Sequence, residues 1–340
     1  GAAAYGHGHE PMRQPDSRLP LTDRGVELSK NFTVGVCVGI VILTFWQNAF
    51  ALKPESGHPA TPADYGIVFQ EVTFKSTDGV ALAGWFYPAQ DTTGIATRMV
   101  GSVPIPDHLK VSPRPYATID SSRRPTIVIC CGDAGNMSYL ILYAYELFTH
   151  GYNVLTFDWR GFGNSDPWPT DADRLSYSEY LLDFDAAIDY VLARDEVDPE
   201  NIGLFGFSTG GYLAFATAAV RSEISALAVR GIITTFEDVM QILREQTPNR
   251  PLYPADDYPC DLLPLRAAPR MSIPVFLIVG EQDARTPPWM SQQVFDHLEG
   301  PKDMWVVKGA THGGQTGPES VARSEFFERL RRFFRDSLSS

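Results

Sequence analysis

Three residues in this chain have the types and order needed for nucleophilic catalysis at a carbonyl: Ser208, Asp283 and His312. The serine lies in Gly206-Phe207-Ser208-Thr209-Gly210, between a short apolar run at 202–205 and a helical pattern that starts at 209. A serine exposed on a sharp strand-to-helix turn needs small neighbours, because the turn is strained and closely packed. Alone the pentapeptide is weak: three fixed Gly and Ser positions arise by chance in roughly one chain in ten of this length. It also reads as an ordinary Gly-rich turn, while a phosphate loop would need a Lys-Ser/Thr ending that is absent. Its weight comes from the other two residues. Asp283 follows the run 275–279 in Gly280-Glu281-Gln282-Asp283, and His312 follows the run 304–307. Taken singly, Asp283 is a loop carboxylate making an Asx turn and His312 a surface histidine. Together, at strand ends and in the order Ser, Asp, His, they suit a hydroxyl activated by an imidazole that a carboxylate orients. Glu237 and Asp238 are weaker alternatives for the acid.

Acyl transfer also needs donors for the oxyanion, here the backbone N–H groups of Thr209 and Asp133. Asp133 belongs to Gly132-Asp133-Ala134-Gly135-Asn136, directly after the run 126–131. A carboxylate aimed into the site would repel the oxyanion, so its side chain is expected to turn away and accept N–H groups of its own loop.

The elements that must position these residues are legible as alternating runs. A hairpin is predicted from β-rich runs at 68–74 and 80–87 around Thr77-Asp78-Gly79. Further strand runs occur at 126–131, 153–158, 202–205, 231–234, 275–279 and 304–307, with helical patterns near 137–150, 176–194, 209–220, 289–298 and 319–335. Alternation of this kind predicts an α/β fold: a mostly parallel, eight-stranded sheet with helices on both faces. Residues 235–265, Pro-rich with Phe236, Tyr253 and Tyr258, are expected to form a short lid. The insertion at 89–124 leads into the start of a strand whose other end bears the oxyanion loop, so it is expected far from Ser208.

Ahead of this domain, residues 1–30 read as a flexible tail, and His7 and His9 are left out of the site with it. Residues 31–52 carry no charge and include the almost continuously apolar VGVCVGIVILTFW, which reads as an N-terminal apolar helix. Membrane association is the favoured expectation, with a cleaved export signal or a helix packed on the domain as alternatives. Arg13, Arg18, Arg24 and Lys30 before the segment, against Lys53 after it, tilt the catalytic domain to the extracytoplasmic side.

A net charge of −13 over 340 residues opposes nucleic-acid binding. The four cysteines (Cys37, Cys130, Cys131 and Cys260) suggest neither a disulfide framework nor a metal site, and no metal or organic cofactor is implied.

Over residues 65–336 the chain resembles the α/β-hydrolase family, and in particular its small membrane-anchored or exported serine hydrolases without a large cap. The resemblance rests on Gly206-Phe207-Ser208-Thr209-Gly210-Gly211, Asp158-Trp159-Arg160-Gly161-Phe162-Gly163-Asn164-Ser165, Gly280-Glu281-Gln282-Asp283 and the His312 segment. It implies an α/β-hydrolase sheet, a structural role for the loop 158–165, and cleavage of a small-molecule acyl ester or thioester through an acyl-enzyme. Relatives often read His-Gly-Asn-Ala-Gly-Asn where this chain has Cys131-Gly132-Asp133-Ala134-Gly135-Asn136. That departure keeps a weakly active membrane-anchored scaffold in view, beside an acyltransferase or biosynthetic hydrolase. Phe162, Trp168 and Trp289 could line a pocket, although isolated large residues more often serve packing.

Overall fold

The computed structural model describes residues 52–91, 114 and 115, and 122–338. Its strands are β1 (Gln70–Lys75), β2 (Ala81–Tyr87), β3 (Arg124–Cys130), β4 (Asn153–Phe157), β5 (Val197–Phe207), β6 (Ile224–Arg230), β7 (Val275–Gly280) and β8 (Lys302–Val307). They form one sheet in the order β8-β7-β6-β5-β3-β4-β2-β1. The hairpin β1–β2 is antiparallel and β2 pairs antiparallel with β4; every other neighbouring pair is parallel. The central strands β4 and β7 are buried at every residue, as their unbroken apolar sequences require of strands covered on both sides.

The main helices are α1 (Ile141–Phe148), α2 (Tyr180–Leu192), α3 (Ser208–Val220), α4 (Phe236–Gln246), α5 (Pro288–His297) and α6 (Arg323–Ser337). Two glycines of β5 show that both faces are covered. A Cβ on Gly203 would stand 2.8 Å from the Phe334 ring of α6, whereas one on Gly206 would stand 2.6 Å from the Gly210 carbonyl of α3. Positions 203 and 206 point to opposite sides of a strand, so α6 and α3 lie on opposite faces.

Several boundaries differ from the sequence reading. The sixth strand is Ile224–Arg230 and not 231–234: Gly231 adopts φ 71° and turns the chain out of the sheet, leaving Ile232 and Ile233 buried beyond the strand end. The helical pattern at 319–335 is broken into Pro318–Val321 and α6, and that at 137–150 begins as a 3-10 turn, Met137–Leu140. Within 235–265 lies an unforeseen regular helix, α4, whose N-cap Thr235 accepts from the Asp238 N–H at 3.2 Å.

A segment ahead of the hairpin is tied to the domain. Lys53–Pro54 pairs in parallel with Ala134–Gly135, Leu52 is buried, and the Asn136 side chain donates to the Gly57 carbonyl at 2.6 Å. Of the insertion 89–124, Gln90–Asp91 pairs antiparallel with Arg114–Pro115; most of the rest, and with it the expected distance from Ser208, lies outside the described residues. So do the tail 1–30 and the apolar segment 31–52 apart from Leu52. Among the described residues, no helix is long and apolar enough to cross a membrane.

Candidate active site

Because β3 and β5–β8 run parallel, the loops that follow them emerge at one edge of the sheet. Ser208 follows β5, Asp283 lies beyond β7, His312 beyond β8 and Asp133 beyond β3. The fold thus brings together four residues spread over 180 positions of sequence.

Ser208 begins α3 with φ 48°, the sole non-glycine positive φ among the described residues. Such a conformation costs on the order of 1–3 kcal/mol and persists only where the surroundings enforce it. Here the enforcement is close packing. A Cβ on Gly210 would fall 1.9 Å from the Cys131 carbonyl, and one on Gly211 2.6 Å from Val229, so only glycine lets the first turn of α3 approach β3 and β6 this closely. A Cβ on Gly132 would lie 3.9 Å from that of Ser208, which places the loop after β3 directly beside the serine.

His312 Nε2 is 3.0 Å from Ser208 Oγ, and His312 Nδ1 is 2.8 Å from Asp283 Oδ2. Asp283 is buried, and its other carboxylate oxygen accepts the N–H groups of Arg285 and Thr286, each at 2.9 Å. The Thr286 hydroxyl donates to Asp283 Oδ2 at 2.9 Å. Burial pushes the Asp283 carboxyl up, but its electrostatic and hydrogen-bonded pairing with His312 and the two loop N–H groups together outweigh that and hold it below its ordinary value. The acid therefore stays ionised and fixes Nδ1 as the protonated nitrogen, leaving Nε2 to accept from the serine. Behind the histidine, Arg230 at the end of β6 donates to the His312 carbonyl and faces Glu319 at 3.4 Å.

The alternative acids are elsewhere. Asp238 is engaged at the start of α4, accepting from Thr234 Oγ1 at 2.6 Å and Thr235 Oγ1 at 3.0 Å, while Glu237 is exposed. The loop 158–165 is structural: Asp158 and Arg160 are buried, and Arg160 pairs with Asp183 at 2.7 Å and Asp78 at 2.6 Å.

Thr209 is in the first turn of α3, whose N–H groups have no intrahelical partner. Among the described residues, no protein acceptor takes the N–H of Asp133, while its carbonyl accepts from Lys53 at 2.7 Å. The expectation for the Asp133 side chain requires correction. Asp133 lines the pocket, and its carboxylate makes no hydrogen bond to its own loop but lies 3.4 Å from Arg285 Nη2, because a cation 152 residues away offers a stronger partner than loop amides.

A pocket opens at Ser208 and Thr209. Its apolar wall is Leu175, Tyr212, Ile233, Phe236, Val239 and Leu243, and Asp133, Arg285 and Thr286 form the polar side. Phe236, Val239 and Leu243 belong to α4, within the segment expected as a lid. Of the aromatics weighed from sequence, Phe162 is core, Trp168 lies under the Arg160 guanidinium, and Trp289 is exposed; none lines this pocket. Arg285 and Thr286 escaped the sequence reading, although their position two and three residues after a candidate acid was a usable signal. Cys130 and Cys131 are buried free thiols and Cys260 is exposed. No group of three or more His, Cys, Asp or Glu among the described residues is arranged to hold a metal ion.

Comparison with known proteins agrees with this architecture. Residues 125–258 match the family model described as alpha/beta hydrolase fold. The uncharacterized protein Rv2307c of Mycobacterium tuberculosis is 26% identical over 299 residues, covering 87% of this chain and 91% of that protein. Among solved structures, the Pyrococcus furiosus esterase Pf2001 superposes with a TM-score of 0.63 at 18% identity, covering 85% of this chain and 99% of that one. A puromycin-hydrolyzing peptidase of Mycobacterium tuberculosis gives a TM-score of 0.58 at 18% identity, over 83% of this chain and 41% of that one.

Proposed function

We propose that this chain, which has the α/β-hydrolase fold, is a serine hydrolase that cleaves carboxylic esters or thioesters with Ser208 as nucleophile, His312 as general base and Asp283 as its orienting acid. The family model and the esterase and peptidase neighbours support a hydrolase in general. The observation that carries the finer reading is the continuous relay from Ser208 Oγ to His312 Nε2 at 3.0 Å and from His312 Nδ1 to Asp283 at 2.8 Å, with the serine held at positive φ.

In this mechanism His312 Nε2 takes the Ser208 proton as Oγ attacks the acyl carbon. The N–H groups of Asp133 and Thr209 receive the oxyanion. Collapse of the tetrahedral intermediate expels the alcohol or thiol with the proton from His312 and leaves an ester on Ser208. Water, deprotonated by the same imidazole, then attacks that ester, and the carboxylic acid departs as Ser208 regains its proton. The apolar wall beside Ser208 favours a small or medium hydrocarbon acyl group, and α4 covers it in the manner of a short lid.

The test is a rate profile over p-nitrophenyl esters of increasing acyl length, with an acyl thioester and an anilide beside them, for the wild type and Ser208→Ala. Ester or thioester turnover should depend on Ser208 and fall off for long chains. Turnover by Ser208→Ala at the wild-type rate would defeat the assignment. Residues 31–52 are proposed as a membrane-associating segment, on the sequence pattern alone. A chain beginning at Ala49, which keeps the buried Leu52 and the Lys53–Pro54 pairing, should then be active without detergent, whereas the longer chain should partition into membranes.

A further inference from the structure

We propose that Arg285 is a positioning residue for the oxyanion donors, acting through Asp133: it neutralises and pins a carboxylate that would otherwise oppose the charge developing beside it. The inference rests on the Ser208 mechanism above. The residue proposed to offer its backbone N–H to the oxyanion also carries a negative side chain, and it lines the same pocket as Ser208 and Thr209. The Asp133 side chain is only 16% exposed, so solvent screens it poorly. An uncompensated anion there works against the stabilisation that the two N–H groups provide, and in a partly dehydrated pocket such repulsion is large enough to matter for rate.

Arg285 answers that charge. Its Nη2 lies 3.4 Å from Asp133 Oδ2, and its side chain is 18% exposed. Arg285 also has a fixed origin, because its own backbone N–H donates to the catalytic acid Asp283 at 2.9 Å. One residue therefore links the acid loop after β7 to the oxyanion loop after β3. On the other side, the Lys53 N–H holds the Asp133 carbonyl at 2.7 Å, so the peptide and the side chain of Asp133 are anchored from different directions. Loss of Arg285 leaves the donors in place but adds net negative charge next to them. The cost should fall on the chemical step more than on binding of a neutral ester.

The experiment is a double-mutant cycle on the full chain with a neutral p-nitrophenyl ester, reading kcat and KM separately. In the wild-type background, Arg285→Ala should lower kcat by about 10-fold to 100-fold with KM changed by less than about 3-fold. In the Asp133→Asn background, the same Arg285→Ala change should cost less than about 3-fold, because there is no carboxylate left to neutralise. Arg285→Lys, which keeps the charge, should retain most of the rate. Circular dichroism melts establish that each protein is folded, and Arg285→Gln carries the same comparison if Arg285→Ala does not fold. Equal losses from Arg285→Ala in both backgrounds, or a loss confined to KM, would overturn the role. Failure of the Ser208 mechanism has a different signature: ester turnover that survives Ser208→Ala, whatever Arg285 does.

Discussion

Two buried aspartates at strand ends each hold a histidine, yet the two histidines face different partners. Asp158, just past β4, takes His58 Nε2 at 2.7 Å; Asp283, past β7, takes His312 Nδ1 at 2.8 Å. The contacts are alike in length and both carboxylates are buried, so neither a short Asp–His contact nor burial by itself sets the proposed catalytic pair apart. The far side of the imidazole separates them. His312 presents Nε2 to the hydroxyl of Ser208, a residue forced to positive φ at the mouth of a pocket. His58 presents Nδ1 to the Asn164 side chain at 3.2 Å and packs on the Trp85 ring at 4.6 Å. Asp158 further accepts the N–H groups of Met137 at 2.7 Å and Asn164 at 3.1 Å. It is a fastener joining the segment ahead of the hairpin, the 3-10 turn after the oxyanion loop and the loop 158–165.

The sharpest way to break this contrast is to remove the two histidines in turn. His312→Ala should reduce ester turnover by about 10³-fold or more while the protein stays folded. A folded His312→Ala enzyme with near wild-type kcat would end the distinction. Next in size is the pair of isosteric changes at the acids. Asp283→Asn should cost roughly 10²-fold to 10⁴-fold in kcat, because an amide favours the wrong imidazole tautomer. Asp158→Asn should cost less than about 10-fold per folded molecule, and Asp238→Asn less still. Steady-state kinetics on the three variants gives the ranking, and its reversal would move the acid.

Stability distinguishes the two regions more gently. The Asp283 carboxyl is held below its ordinary value in the folded protein, so the unfolded chain binds its proton more readily. The stability this confers is complete above the unfolded value of about 3.9 and is lost as pH falls through the lower folded value. Denaturant melts of wild type and Asp283→Asn should therefore converge as pH drops below about 4. A gap unchanged down to pH 2 would contradict the shift. The smallest effect on rate is expected at the fastener: His58→Ala should destabilise the fold by about 1–3 kcal/mol and change kcat by no more than about 3-fold. Thermal melts and kinetics on the same preparation decide it.

What could be read before the fold was known divides along the range of the interactions. The convergence of Ser208, Asp283 and His312 was legible because each sits in a local pattern, an apolar run followed by a loop, and the parallel sheet does the rest. The sixth strand was misplaced because ISALAVR is rich in alanine and weak as a β signal, while the strongly apolar residues after it lie beyond Gly231. α4 was hidden in a Pro-rich stretch, though Thr235 followed by Asp238 is a helix-start pattern. The Asp133–Arg285 contact could not be read at all: it joins two loops that only the folded sheet brings to one edge, and nothing near Asp133 in sequence hints at a cation. The same holds for the attachment of residues 52–58, whose backbone partners, apart from two hydrogen bonds from the Asn136 side chain, are loop peptide groups without a distinctive side chain.

The central claim is that Ser208 is a nucleophile activated by His312. The most direct measurement is covalent labelling with a fluorophosphonate, followed by mass spectrometry of the peptides. The account predicts one adduct per chain, located on Ser208, formed rapidly in the wild type, absent in Ser208→Ala and strongly slowed in His312→Ala. No adduct on the folded wild-type chain, or an adduct at another residue that persists in Ser208→Ala, would contradict it.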